Sequence, residues 1–303
     1  MDGLFAHSLL VVTGKGGVGK STVAASVGLA AARRGLRVIV VEVAARDDIS
    51  RALGGSHAGP YAERAVSGRL HHMSIDPQRA LEEYLRQQLP MGALAGLLSR
   101  SRVFSALTAA TPGLRELLTI GKVWELAQPE RRTRRARPYD LVVLDAPATG
   151  HSLAMLQAPS TFASVARVGP VAGQGRAVAA FLRDPRRTAV IVVSTAEEMP
   201  VNETLELRSG VRAELGTDLA LIVVNAVVRR RFSTADERVL EDAPPSRGRH
   251  AALFTASWAR HQRAQIARLR RGSHGVPVRT LPFVFDDALG LRALERLSLE
   301  LDR

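Results

Sequence analysis

The stretch from Thr13 to Thr22 reads TGKGGVGKST, and within it Gly14-Lys15-Gly16-Gly17-Val18-Gly19-Lys20-Ser21 satisfies the spacing G-x-x-x-x-G-K-[ST]. Residues of these types in this order can hold a chain of phosphates. The glycines let the backbone curl so that successive amide N–H groups point inward at phosphate oxygens. A helix beginning at Lys20 aims the positive end of its dipole at the same charge. The Lys20 ammonium is placed to reach the β- and γ-phosphates, and the Ser21 hydroxyl to ligate Mg²⁺, with Thr22 closing the binding stretch. ATP and Mg²⁺ are the expected cofactors.

Lysine is rare in this chain, with three among 42 basic residues, and two of the three stand in this loop. A compact ammonium suits Lys20, because a planar guanidinium does not fit inside a glycine cradle. Lys15 has no such duty, since the loop carries it outward from its own nucleotide. Two readings stand for it: a solvated lysine at a loop edge, or a charge that reaches a nucleotide held by a second subunit as an arginine finger does.

Such a loop needs a strand before it and a helix after it. Residues 7–14 (HSLLVVTG) are an apolar run stopped by glycine, as a buried parallel strand reads. Residues 20–35 are alanine-rich and end in Arg-Arg-Gly, a helix with a basic last turn and a glycine stop. Residues 36–43 (LRVIVVEV) make a second strand, so the unit is a right-handed crossover. Further strands are expected at 69–75, 139–145, 188–194, 219–224 and 276–281, and helices at 152–158, 200–215 and 287–301. This alternation predicts an α/β P-loop NTPase with a doubly wound, mostly parallel sheet flanked by helices.

All 303 residues read as a single domain. The stretches 77–135 and 159–187 carry no strand pattern, however, and break at Pro90, at Pro112-Gly113 and near Gly169-Pro170. They are expected to form one inserted α-helical subdomain above the carboxyl edge of the sheet. Residues 233–275 read as mostly helical, with a turn at 244–248.

Composition narrows the function classes. With 46% hydrophobic and 23% charged residues the chain can bury a large core, and disorder throughout is excluded. The longest apolar runs are strand-sized, and MDGLFAHS lacks the basic region of a signal peptide, so a cytoplasmic protein, at most peripheral to a membrane, is expected. The absence of cysteine removes disulfides, thiolate metal sites and cysteine nucleophiles. A net charge of +13 suits a polyanionic partner. The arginines are spread in short clusters without interleaved aromatics, though, so DNA is the less favoured partner.

KGGVGKST resembles the deviant phosphate loop of a P-loop ATPase group that includes partition and division-site proteins, nitrogenase iron protein and the arsenite-pump/tail-anchored-protein-targeting ATPases. In that group the first lysine, here Lys15, is implied to act across a dimer that sandwiches the nucleotides. Asp145-Ala146-Pro147-Ala148-Thr149-Gly150-His151 resembles the DTAPTGH switch of the arsenite-pump/targeting branch. An aspartate at a strand end can hold a Mg²⁺-bound water, and Gly150 offers the freedom that a γ-phosphate-sensing loop needs. By the same resemblance Asn225 is implied to recognise adenine, and the loop at Pro282 and Phe283 to touch the base. Residues 111–126 (TPGLRELLTIGKVWEL) resemble an actinobacterial-type branch. They contain Lys122, to which neither the motif nor the resemblance gives a role.

The sequence departs from the family pattern at the first switch. That switch normally reads D-P-A-H, and its aspartate prepares the attacking water; alignment back from Ala52-Leu53-Gly54 puts Ala44 there. Glu42 at the strand end is the expected substitute, with Asp47 the alternative, because a carboxylate can orient water for in-line attack. The resemblance implies an ATPase, and the departure implies a slow one. Without cysteine, arsenite activation is not expected, since trivalent arsenic seeks sulfur ligands. The expected partners are a second ATPase subunit, in a homo- or heterodimer, and a hydrophobic protein client or membrane-associated partner. Two readings stand for the apolar stretches 91–98 and 103–107: a client groove, or ordinary core. The competing readings are a partition or site-positioning ATPase acting on DNA or membrane, and a hydrolysis-poor nucleotide-binding subunit of a hetero-oligomer.

Overall fold

A computed structural model of the chain describes residues 1–43, 48–54, 61–88, 113–131, 136–166, 170–286 and 289–302. Eight strands form one sheet: β1 (Leu9–Gly14), β2 (Val38–Val43), β3 (Arg64–Ser67), β4 (Leu70–Ile75), β5 (Leu141–Ala148), β6 (Thr188–Thr195), β7 (Leu221–Val227) and β8 (Val278–Pro282). Their spatial order is β3-β4-β2-β5-β1-β6-β7-β8, and every neighbouring pair is parallel except β3–β4. The described helices are α1 (Asp2–Phe5), α2 (Lys20–Arg33), α3 (Asp48–Ala52), α4 (Pro77–Gln88), α5 (Leu114–Leu126), α6 (Thr149–Ala166), α7 (Pro170–Arg183), α8 (Glu198–Leu215), α9 (Thr234–Asp242), α10 (Arg247–Gly272) and α11 (Leu291–Asp302).

Strands apolar at every position are buried on both faces, and the alternation of side chains divides the interior into two layers. Leu10, Val12, Val38, Val40, Leu141 and Val143 face α2 and α11. Leu9, Val11, Ile39, Val41, Val142 and Leu144 face the opposite way, in one cluster with Ile120 of α5, Met155 of α6, Phe181 of α7 and Val211 of α8. The described parts of 77–135 and 159–187 therefore share the core of one sheet face. The breaks at Pro90 and Pro112 and the stretch 91–107 lie outside the described residues.

Three local differences from the sequence expectations have physical reasons. β3 is a short antiparallel edge strand whose alternate residues are exposed, too brief and polar to read as a buried strand. β5 runs on to Ala148, so Asp145 pairs in register with Val12 of β1 and Glu42 of β2 inside the sheet. α6 continues through Pro159 as far as Ala166 instead of ending near 158. α7 starts on Pro170, a position where the missing N–H costs nothing, and Gly169 lies outside the described residues.

The third lysine belongs to a buried ionic network. Lys122 Nζ donates to Glu83 Oε1 at 2.9 Å and meets Glu125 Oε2 at 3.0 Å. Arg131, its side chain wholly buried, donates to Glu125 Oε1 at 3.0 Å and to Glu63 Oε1 at 2.6 Å, while the Tyr139 hydroxyl donates to Glu63 Oε2 at 2.8 Å. Burial alone pushes the Glu63 and Glu125 carboxyls up. Arg131 for both, with Lys122 beside Glu125, overcomes this and holds them below the ordinary value. The network ties α4, α5 and the entry to β5 into one layer, which gives Lys122 a structural duty.

Candidate functional site

The loop after β1 sits at the centre of the sheet's carboxyl edge, between strands that diverge to either side, where open α/β sheets bind their ligands. Its shape depends on glycine. Gly14 has φ +146°, and a Cβ there would lie 2.1 Å from the Val193 carbonyl oxygen of β6. Gly19 has φ +89° at the start of α2, and a Cβ there would meet Asn225 Nδ2 at 2.2 Å. Gly19→Ala therefore combines a left-handed backbone, worth about 1–2 kcal/mol, with a clash against a held side chain. We expect it to weaken Mg-ADP binding and lower the melting temperature by several degrees. Calorimetric titration and thermal unfolding check both, and a variant equal to wild type in both would overturn this account of the loop.

The inward lysine lies across the loop: Lys20 Nζ donates to the Lys15 carbonyl oxygen at 2.9 Å. Ser21, one residue on, donates from Oγ to Asp145 Oδ2 at 2.5 Å, and Asp145 is buried. The two groups expected to attend a metal are thus brought together from α2 and β5. Both are hard oxygen donors of the kind Mg²⁺ takes, sharing its shell with phosphate oxygens and water. Among the described residues there is no group of three or more metal-binding side chains, so phosphates and water would have to complete such a shell.

Lys15 is where the structure adds most. Its ammonium forms an ion pair with Glu203 of α8, both side chains being half-buried. The Thr149 hydroxyl, at the start of α6, donates to the other Glu203 oxygen at 3.5 Å. Thr13 Oγ1, at the end of β1, donates to Ser152 Oγ at 2.7 Å, and Ser152 in turn donates to the Thr149 carbonyl at 2.9 Å. Phosphate loop, Asp145 segment and α8 are thereby stitched together. Sequence reasoning did not single out Glu203, which lies 188 residues from its partner on a stretch expected only to be helical.

The remaining expected residues divide. Asn225, at the end of β7, donates from Nδ2 to the Val18 carbonyl at 3.0 Å and braces the loop. Pro282 stands in register with Val227, and Phe283 N–H donates to the Val227 carbonyl at 2.9 Å, so both lie just beyond Asn225 on the same edge. Glu42 has a different occupation from the one expected. It is 1% exposed; Oε1 accepts from the Ile49 N–H of α3 at 3.1 Å, and Oε2 lies 2.7 Å from His72 Nε2 of β4. With both oxygens committed inside the protein, this carboxylate anchors the chain that follows the first-switch position. Ala44 and Asp47 lie outside the described residues.

The model of the anion-transporting ATPase family matches residues 7–174 and 166–303. The chain is 32% identical to ATPase BagA of Mycobacterium tuberculosis over 255 residues, which are 82% of this chain and 74% of that protein. It is 27% identical to an arsenical pump-driving ATPase of Escherichia coli over 313 residues, 97% of this chain and 49% of the other, so it spans about half the length of that relative. Over 180 residues it is 29% identical to ATPase GET3 of Kluyveromyces lactis, 54% of this chain and 51% of that one. The phosphate-loop geometry, the eight-stranded α/β sheet and a match along nearly the whole length agree: the chain belongs to the anion-transporting ATPase family.

Proposed function

We propose that the chain is a Mg-ATP-dependent switch ATPase that works as a dimer, its nucleotide cycle reshaping a surface for a hydrophobic protein client or a membrane-associated partner. The contact between Lys15 and Glu203 carries this reading. One cradle lysine lies across the loop, while the other is drawn off by α8 and takes no part in holding its own nucleotide. Released from Glu203, Lys15 is available to phosphates held by a second copy or a related subunit, where a positive charge stabilises charge developing in phosphoryl transfer. Thr149 touches the same carboxylate, so release of Lys15 and movement of the Asp145 segment are one event.

Ser21 and Asp145 would hold Mg²⁺, which supplies charge neutralisation on the β- and γ-phosphates. The chain's own residues do the rest: the Gly14–Gly19 backbone orients the phosphates, and Lys20 fixes their charge. Asn225 with Pro282 and Phe283 offers an edge for the adenine. Arsenite activation is not part of the proposal, because the chain has no cysteine thiolates for it. The full engagement of Glu42 and the alanine at position 44 also favour a second reading, a nucleotide-binding subunit that hydrolyses poorly.

Lys15→Ala is expected to bind Mg-ATP as wild type does, to lose turnover by about 10³-fold as when an arginine finger is removed, and to lose ATP-dependent dimerisation. Glu203→Gln, which weakens the hold on Lys15, is expected to raise the dimer fraction at a given ATP concentration. Phosphate release and analytical sedimentation measure these. Wild-type turnover in Lys15→Ala ends the cross-subunit reading. A wild-type protein that binds Mg-ATP without hydrolysing it, alone or with a related subunit, selects the second reading.

A further inference from the structure

A cleft of about 390 Å³ opens between the chain leaving β7 and the second half of α10, at the β8 edge of the sheet. Four arginines line it: Arg229 and Arg230 from the β7 exit, Arg263 and Arg270 from α10. Thr280 of β8 adds a hydroxyl, and Ile266 is part of the floor. No carboxylate lines it, and none of the four arginines forms an ion pair among the described residues. Arg230 donates from Nε to the Phe232 carbonyl at 3.0 Å.

The neighbouring arginines are treated differently. Arg260 pairs with Glu237, Arg268 donates to Asn202, and Arg249 donates to the Leu240 and Glu241 carbonyls at 2.8 and 2.7 Å. These three guanidinium groups are thus matched by protein partners, whereas the four in the cleft form no ion pair among the described residues, Asp236 lying within Coulombic reach of Arg230. The walls are also fixed relative to each other. Gln262, buried on α10, accepts from the Val228 N–H at 2.8 Å and donates to the Ala226 carbonyl at 3.1 Å.

Four like charges held around one concavity repel each other and attract an anion. Guanidinium groups present paired N–H donors that match the oxygens of phosphate, and several of them around one cleft suit a ligand carrying more than one negative oxygen. We propose that this cleft is a second anion site, separate from the nucleotide cradle, that takes a phosphate-bearing ligand. No residue of the Gly14–Thr22 loop lines it, and Arg229 follows Asn225 by four positions, so an occupant would lie beside the cradle's β7 wall.

Two sources offer this chemistry, a free polyphosphate anion and a phospholipid headgroup. An aromatic ridge adjoins the same edge: Phe254 and Phe285 are exposed, Trp258 and Phe283 join them, and Arg231 stands 5.9 Å above the Phe285 ring. Such a ridge would help a lipid surface and be indifferent to a free anion.

The test uses full-length protein saturated with Mg-ADP, titrated with inorganic pyrophosphate at physiological ionic strength. In a separate arm it is co-sedimented with vesicles of phosphatidylglycerol and phosphatidylcholine in equal parts. The charge-reversing pair Arg263→Glu with Arg270→Glu is expected to weaken binding in at least one arm by roughly 10-fold or more, with Mg-ADP affinity unchanged. Arg263→Lys with Arg270→Lys should retain most of the binding, and Arg186→Glu, on a distant exposed turn, all of it. Loss in the pyrophosphate arm assigns a free anion; loss confined to vesicles assigns the headgroup. If wild type binds neither probe, or the charge-reversed protein binds both as well as wild type, the cleft is not an anion site.

Discussion

Replacing Lys20 with alanine is expected to cost roughly 10- to 100-fold in Mg-ATP affinity, since charge-assisted hydrogen bonds are worth about 1.5–3 kcal/mol and each 1.4 kcal/mol is tenfold. The variant also loses the bond from Lys20 Nζ to the Lys15 carbonyl, so the loop that carries the outward lysine loses a brace. Lys20→Arg should not restore affinity, because the glycine cradle leaves room for a compact ammonium and not for a planar fork. Equilibrium binding of a fluorescent ATP analogue, with thermal unfolding as a check on folding, reads the result. Full affinity in Lys20→Ala would mean that the cradle holds its ligand through backbone N–H groups alone.

The second large effect concerns stability. Arg131→Ala removes the buried cation shared by the buried Glu125 carboxylate and the partly exposed Glu63, and breaking a buried ion pair from one side costs about 3–5 kcal/mol. The pH dependence has a definite sign. Glu63 and Glu125 sit below their ordinary value near 4.5 in the folded chain, so on acidification the unfolded chain takes up protons first. The stability they contribute is therefore complete above that value and drains away as the pH falls through their depressed values. Chemical denaturation across neutral to acid pH should give wild type a steep acid slope and Arg131→Ala a lower plateau with a shallower one. Equal midpoints for the two proteins at neutral pH would remove the network from the account of stability.

How much could be read from sequence follows from how local each feature is. β1, the phosphate loop and α2 are contiguous, and each is specified by its own residues: an apolar run, glycines at positive φ, then a small-residue helix. Asp145 was legible as an acid of β5, though not as one inside the sheet, and its meeting with Ser21 follows once β5 lies beside β1. Glu42 was legible as an acid at a strand end, yet its occupation was not. His72 faces it only because β4 pairs with β2, and nothing near residue 42 specifies that register. Glu203 and the ties from Lys122 to Glu83 and from Arg131 to Glu63 were hidden for the same reason, those partners standing far away along the chain. The arginine cleft needed three dimensions as well. The run Arg229–Arg231 reads as a small surface cluster until α10 brings Arg263 and Arg270 opposite two of its members.

The grip of Glu203 on Lys15 has a thermodynamic corollary for anything that touches α8. Coupling between two binding events is reciprocal, each changing the other's free energy by the same amount. If the nucleotide-bound dimer needs Lys15 released, a partner that favours the released position of α8 must raise nucleotide affinity, and nucleotide must raise affinity for that partner by the same factor. A partner that tightens the grip lowers both. On the proposed function, one ion pair on the rim of the phosphate loop would set the sign of communication between the nucleotide and its partner.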